Sequence, residues 1–211
     1  HRTLIVPQLG APGVAAHLVK KATGFGVKFG PVRAADLPAF LQLKTPVPPA
    51  MRRMRFDFID RCALVPMEAL PALTKLLTFC AGVALAFGIS AEGVLFLPAL
   101  RGVFPYALAG LTGLCAGTII TPLLLPWIPV RSFAVKGALV GICMLAAAFA
   151  LPDLFKLNDT IHRLLFCVGI PLWSSYLALL FTGSTTYTNP SGVKKELKIM
   201  LPVYIAGAAA I

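Results

Sequence analysis

Between Arg101 and Arg131 the sequence contains no Asp, Glu, Lys or Arg. A run that long and that apolar points to a bilayer, because about 20 mostly apolar residues carry a helix across its hydrocarbon core. We place one membrane span near 102–126 in this run, with Pro105 and Pro122 expected to kink or trim it. Similar runs predict spans near 67–89, 133–151, 163–182 and 199–211. In the first of these, Lys75 is expected to lie near the helix end and snorkel outward. The total apolar share of 58% exceeds the 45–50% usual for a soluble domain.

The N-terminal part has a different texture. Residues 1–61 hold thirteen of the twenty-seven charged side chains. Thr3–Val6 reads as a strand closed by Pro7, and Val14–Thr23 as a helix stopped by Gly24. Val27–Phe29 reads as a second strand, and Ala34–Leu41 as another helix. Strand, helix, strand, helix with short connections is the pattern of a parallel α/β sheet. So short a stretch is too small to be such a domain alone, so further strands are expected upstream of His1 and the chain is expected to be a piece of a longer protein. The fold class is therefore α/β, a partial Rossmann-like domain, followed by an all-α membrane domain of about five transmembrane helices. We divide the chain into 1–45 for the α/β part, 46–66 for a linker and juxtamembrane segment, and 67–211 for the membrane part.

The net charge of +11 does not point to nucleic acid. No basic patch interleaved with aromatics occurs in a soluble segment large enough to hold it. The basic residues fit the positive-inside rule instead. Arg52, Arg53, Arg55, Arg61, Arg131, Lys136, Lys194, Lys195 and Lys198 fall on the side of the α/β part, against Arg101, Lys156 and Arg163 on the other. That places the α/β part in the cytoplasm, on a multi-pass protein of the cytoplasmic membrane. The five cysteines, Cys62, Cys80, Cys115, Cys143 and Cys167, are widely spaced and form no metal or redox motif. His17 and His162 have no partners at ligand spacing and are read as structural or surface residues.

Three segments could carry chemistry. The loop Pro7–Gly13 follows a strand and precedes a helix, where open α/β sheets bind ligands. Its glycines would let a flat ligand approach the backbone, although a tight structural turn explains them too. Gly30-Pro31-Val32-Arg33 follows the second strand, with Arg33 able to reach a ligand or to pair with Asp36. Thr182–Gly192 is a polar run leaving the fourth span, or simply a turn and helix cap.

Three stretches together resemble one family. They are His1–His17 (HRTLIVPQLGAPGVAAH), Gly30–Leu41 (GPVRAADLPAFL), and Phe181–Glu196 with its Thr-Gly-Ser-Thr-Thr-Tyr-Thr core. They look like the membrane-anchored corrinoid protein of microbial mercury methylation, found in anaerobes. Its soluble domain is related to the large subunit of the corrinoid iron-sulfur protein of the acetyl-CoA pathway. The resemblance covers nearly the whole chain in order, including the Met51-Arg52-Arg53 joint. It implies a corrinoid-dependent methyltransferase with a cobalamin-type cobalt cofactor, a methyl donor of the folate/acetyl-CoA pathway, and Hg(II) as acceptor. It also implies a ferredoxin-like partner with 4Fe-4S clusters and a lipid bilayer as anchor. Carried over by position, the residues bearing on the corrinoid are Gln8, Leu9, Gly10, Gly13, Gly30, Val32 and Arg33. The family's motif Asn-Val/Ile-Trp-Cys-Ala-Ala/Gly-Gly-Lys, whose Cys is the proposed lower axial ligand to cobalt, does not occur in this sequence. No catalytic residue is therefore assigned, and this chain alone is expected to be inactive. The alternatives are a transporter, or a structural anchor with a small cytoplasmic domain. No internal repeat favours the transporter.

Overall fold

The computed structural model describes residues 2–42, 48–54, 56–90, 93–155, 159–184 and 190–210. The chain divides into two compact units, His1–Arg55 and Phe56–Ile211.

In the first unit, β1 (Thr3–Pro7) and β2 (Gly26–Gly30) pair in parallel, from Thr3 opposite Gly26 to Pro7 opposite Gly30. Parallel neighbours need a crossover, and α1 (Ala16–Thr23) provides it. Gly24 ends α1 with a φ of 73°, a left-handed conformation that costs glycine nothing, and its N–H closes on the Lys20 carbonyl. A turn of 3₁₀ helix at Ala34–Asp36 leads into α2 (Leu37–Gln42), whose Phe40 is buried. The sheet has two strands among the described residues, so the Rossmann-like domain expected from the sequence is not seen here. Leu4, Ile5, Leu9, Leu18 and Leu41 remain exposed, as in a layer that has not buried its apolar faces. The proline-rich joint is not wholly extended: Pro49–Arg52 forms a helical turn, α3, while residues 43–47 lie outside the described residues.

The second unit is helical. Its first helix, α4 (Phe58–Gly88), starts nine residues before the expected span. Asp57 and Asp60 make a capping box there, the Asp57 N–H donating to Asp60 Oδ2 at 3.1 Å. Arg61, expected in the juxtamembrane joint, is thereby drawn into the helix and buried, its guanidinium 5.9 Å from the Phe58 ring centre. A short antiparallel pair, β3 (Ile89–Ser90) with β4 (Gly93–Val94), leads to α5 (Phe96–Leu114). That helix widens into a π turn at Cys115–Ile120 and resumes as α6 (Thr121–Leu124). This π turn precedes Pro122, which has no N–H to give the preceding turn. The Thr121 hydroxyl donates to the Ala116 carbonyl at 2.7 Å, which also accepts the Thr121 N–H.

Then follow α7 (Phe133–Ala148), α8 (Thr160–Leu180) and α9 (Pro190–Ala210). Among the described residues, three helical segments are long and apolar enough to cross a membrane: Phe58–Gly88, Phe96–Leu124 and His162–Leu180. Helix α7 is apolar but has only 16 residues. The run expected as a span at 199–211 belongs to α9, which also carries Lys194, Lys195, Glu196 and Lys198.

Helix α8 is the hub, and glycines let its neighbours approach. Gly113 and Gly117 of the α5 rod, and Gly137 and Gly141 of α7, stand four residues apart on faces turned to α8. A Cβ on Gly117 would lie 2.7 Å from the Ser174 carbonyl oxygen, and one on Gly137 would lie 2.5 Å from Ala178 Cβ. Such close backbone approach drives association in a bilayer, where the hydrophobic effect between helices vanishes. Two apolar clusters mark opposite ends of the bundle: Phe56, Leu64, Leu125, Phe133 and Phe181 at one, and Tyr106, Leu145, Ala148, Phe155 and Phe166 at the other.

Candidate ligand-binding edge of the parallel sheet

Because Pro7 and Gly30 are in register, β1 and β2 end together. Both loops singled out from the sequence therefore leave the same carboxyl edge of a parallel sheet. Gln8–Gly10 is a 3₁₀ turn, and its backbone satisfies itself: Ala11 N–H donates to Gln8 O at 3.1 Å, and Gly13 and Val14 N–H both donate to Gly10 O at 3.0 Å. These amides are spent inside the loop, so it is not an anion-binding nest. It offers instead a firm surface with Leu9 60% exposed at its crest and Gly13 exposed beside it.

The glycines divide by role. A Cβ on Gly30 would meet Ile5 Cγ2 at 2.8 Å and the Phe40 ring at 3.6 Å. Gly30 and Pro31 are buried, so Gly30 is small for packing and is not exposed to a ligand. Gly10 faces Val6, with a Cβ contact of 3.0 Å, and is half-buried. A side chain on Gly13 would meet only the Gly10 carbonyl at 3.8 Å, so Gly13 is the one glycine of the three with room above it.

Val32 is half-buried, and its N–H donates to the Met51 carbonyl at 2.9 Å. That bond ties α3 to the loop after β2 and brings Arg52 and Arg53 into the neighbourhood of the edge. No local pattern of residues signals this tie. Arg33 is exposed, and its carbonyl takes the Asp36 N–H at 3.2 Å. Gln8 is half-buried.

As a resting place for a flat macrocycle this edge fits in part. Leu9 supplies an apolar crest, Gly13 an open backbone, and Gln8 and Arg33 polar groups able to meet peripheral amides. None of the seven residues is a cobalt donor, and no group of three or more His, Cys, Asp or Glu able to hold a metal occurs among the described residues. His17 lies exposed in α1. His162 is held by Asp159, Nδ1 to Oδ2 at 2.7 Å, and packs its ring against Tyr106 and Phe166. The five cysteines are free. Of the third motif, residues 185–189 lie outside the described residues, and Thr182 is buried with its hydroxyl on the Leu179 carbonyl at 2.6 Å.

Comparison with protein-family models, with curated proteins and with solved structures finds no match to this chain.

Proposed function

We propose that this chain belongs to a membrane-anchored, corrinoid-dependent methyl carrier that passes a methyl group to Hg(II). Its sheet edge would bear on the corrinoid, and its helical unit would hold the carrier at the bilayer. The observation that carries this is the common ending of β1 and β2 at Pro7 and Gly30. It brings the two motifs of the resemblance, far apart in sequence, to the one edge where open α/β sheets receive ligands. Further strands of a Rossmann-like corrinoid domain would extend the sheet, and its helices would cover the exposed Leu4 and Ile5 on the two faces.

A corrinoid, when bound, supplies a cobalt centre that takes a methyl group from one partner and yields it to another. The residues here do the holding. Leu9 and Gly13, both exposed, would present the surface that receives a flat ring. Gln8 and Arg33 would meet its rim. Gly10, Gly30 and the Val32–Met51 bond keep both loops in place. The motif that carries the family's cobalt-ligating Cys does not occur in this sequence. A methyl donor of the folate/acetyl-CoA pathway and a 4Fe-4S ferredoxin-like reductant are the partners this chemistry needs.

Charge supports an orientation with the sheet unit in the cytoplasm. Arg61, Arg131, Lys136, Lys194, Lys195 and Lys198 belong to the bundle end marked by Phe56, Leu125 and Phe181, whereas Arg101 and Arg163 belong to the other. The test is anoxic assay of membranes from cells expressing the complete gene product. Methylmercury should form from Hg(II) when a methylated folate-type donor and a low-potential reductant are supplied. Membranes that bind no corrinoid and form no methylmercury under those conditions contradict the proposal.

One observation favours the transporter alternative. Lys75 stands well inside α4, remote from both of its ends, and intramembrane charges commonly mark ligand pathways.

A further inference from the structure

The second unit contains a cavity of about 570 Å³ between α4, α5, α8 and α9. That is within the range of small-molecule sites, roughly 300–1,000 Å³. Its wall is almost wholly apolar and rich in rings, with Phe79, Tyr106, Phe166, Trp173, Tyr176 and Tyr204 among the lining residues. Lys75 lines it too and is its one charged residue among those described. The Lys75 ammonium lies 3.5 Å from the Tyr176 hydroxyl and 5.4 Å from that ring's centre. Tyr176 is itself fixed, stacked on Trp173 at 5.8 Å and edge-on to Tyr204 at 5.6 Å. Tyr204 is held in turn by Ser175, oxygen to oxygen at 3.0 Å.

Lys75 is exposed at the surface of the bundle, and an ammonium facing lipid midway along a membrane helix is costly unless something compensates it. A hydroxyl and a π face compensate only in part. Among the described residues, no Asp or Glu lines the cavity. A guest bearing one negative charge would supply the missing counter-ion, and its apolar body would fill the ring-lined space.

We propose that this cavity binds a lipophilic anion, an apolar chain or ring ending in a carboxylate or phosphate, with the anionic group on Lys75 and the Tyr176 hydroxyl. The site stands independently of the corrinoid proposal, since it uses no residue of the first unit. The anion has two possible sources, a free fatty acid or an anionic phospholipid of the surrounding bilayer.

Trp173 provides the readout. The chain has two tryptophans, and Trp127 is exposed outside the cavity, so Trp127→Phe leaves Trp173 as sole reporter. Bromine quenches indole fluorescence only at close range. The purified protein in nanodiscs is titrated with dibrominated stearate and with its uncharged methyl ester. In parallel, nanodiscs are made with brominated phosphatidylglycerol or brominated phosphatidylcholine. Saturable quenching by stearate but not by its ester identifies a fatty acid as the guest. Preferential quenching by phosphatidylglycerol over phosphatidylcholine identifies a bilayer lipid. In either case Lys75→Met should weaken the effect about tenfold or more, the loss expected when a charged hydrogen bond is removed, and Lys75→Arg should retain it. Should Lys75→Met not fold, Ala208→Phe fills the cavity from the exposed side of α9 and should abolish quenching with an unchanged circular dichroism spectrum. Quenching that ignores the charge of the guest, or that survives Lys75→Met or Ala208→Phe unchanged, overturns the proposal.

Discussion

Ser174 of α8 donates its hydroxyl proton to the carbonyl of Gly137 on α7 across 2.7 Å. The bond forms because neither residue carries bulk: Ser174 is fully buried, and Gly137 has its missing Cβ where Ala178 and the Ser174 carbonyl already lie. Packing and the hydrogen bond can be separated at this contact. Ser174→Ala removes the bond and should cost about 0.6 kcal/mol, the average for interhelical hydrogen bonds in a bilayer. Gly137→Leu forces two backbones apart and should cost about 1–3 kcal/mol or more. Unfolding in mixed detergent micelles measures both, and equal losses would contradict this division.

Glu196 joins α9 to the start of α7. Its Oε1 accepts the Ser132 hydroxyl and, at 2.6 Å, the Ala134 N–H, so a side chain from another helix helps cap α7. The Ser132 hydroxyl oxygen in turn accepts the Val135 N–H at 3.2 Å. Glu196→Ala leaves the Ala134 amide and Ser132 without this partner and should cost about 1–3 kcal/mol. Glu196→Gln keeps an acceptor oxygen and should lose less. Protease sensitivity of α9 alongside thermal melts in detergent checks both variants.

Sidedness follows from charge. In a cysteine-free background, Ser191→Cys at the exposed start of α9 should react with a membrane-impermeant maleimide only after cells are permeabilised. Asp159→Cys, just before α8 at the other end, should react in intact cells. The opposite pattern would turn the bundle over and place the sheet unit outside.

At the sheet edge, packing and ligand roles should come apart. Gly30→Val drives a side chain into Ile5 and Phe40 and should unfold the first unit. Leu9→Ser and Arg33→Ala change exposed side chains, and surface changes of this kind usually fall within about 0.5 kcal/mol. On the corrinoid proposal they should still weaken cofactor retention. Circular dichroism with cobalt content of the complete gene product tells the two effects apart.

How far the sequence disclosed this depended on whether the signal was local. Gly24 as the stop of α1, and the strands around Ile5 and Phe29, were legible because backbone preference and short-range pattern decide them. From sequence alone α4 starts too late, because Arg61 and Pro66 fall in the segment read as a joint. The Asp57–Asp60 capping box starts the helix before them, and prolines are tolerated in membrane helices. Lys75, expected to snorkel near an end, consequently sits deep and faces Tyr176. The glycine pairs Gly113/Gly117 and Gly137/Gly141 carried a readable signal, spacing by four in an apolar run. Which helix they meet is a tertiary fact. The Val32–Met51 bond and the Glu196 cap had no local signature at all.

The most direct test of the methyl-carrier account is the cobalt content and visible spectrum of the complete gene product, purified anoxically in detergent. The account predicts close to one cobalt per chain with a corrinoid spectrum, reduced by Leu9→Ser or Arg33→Ala in protein that remains folded. Folded protein that contains no cobalt and takes up none from added hydroxocobalamin would contradict it.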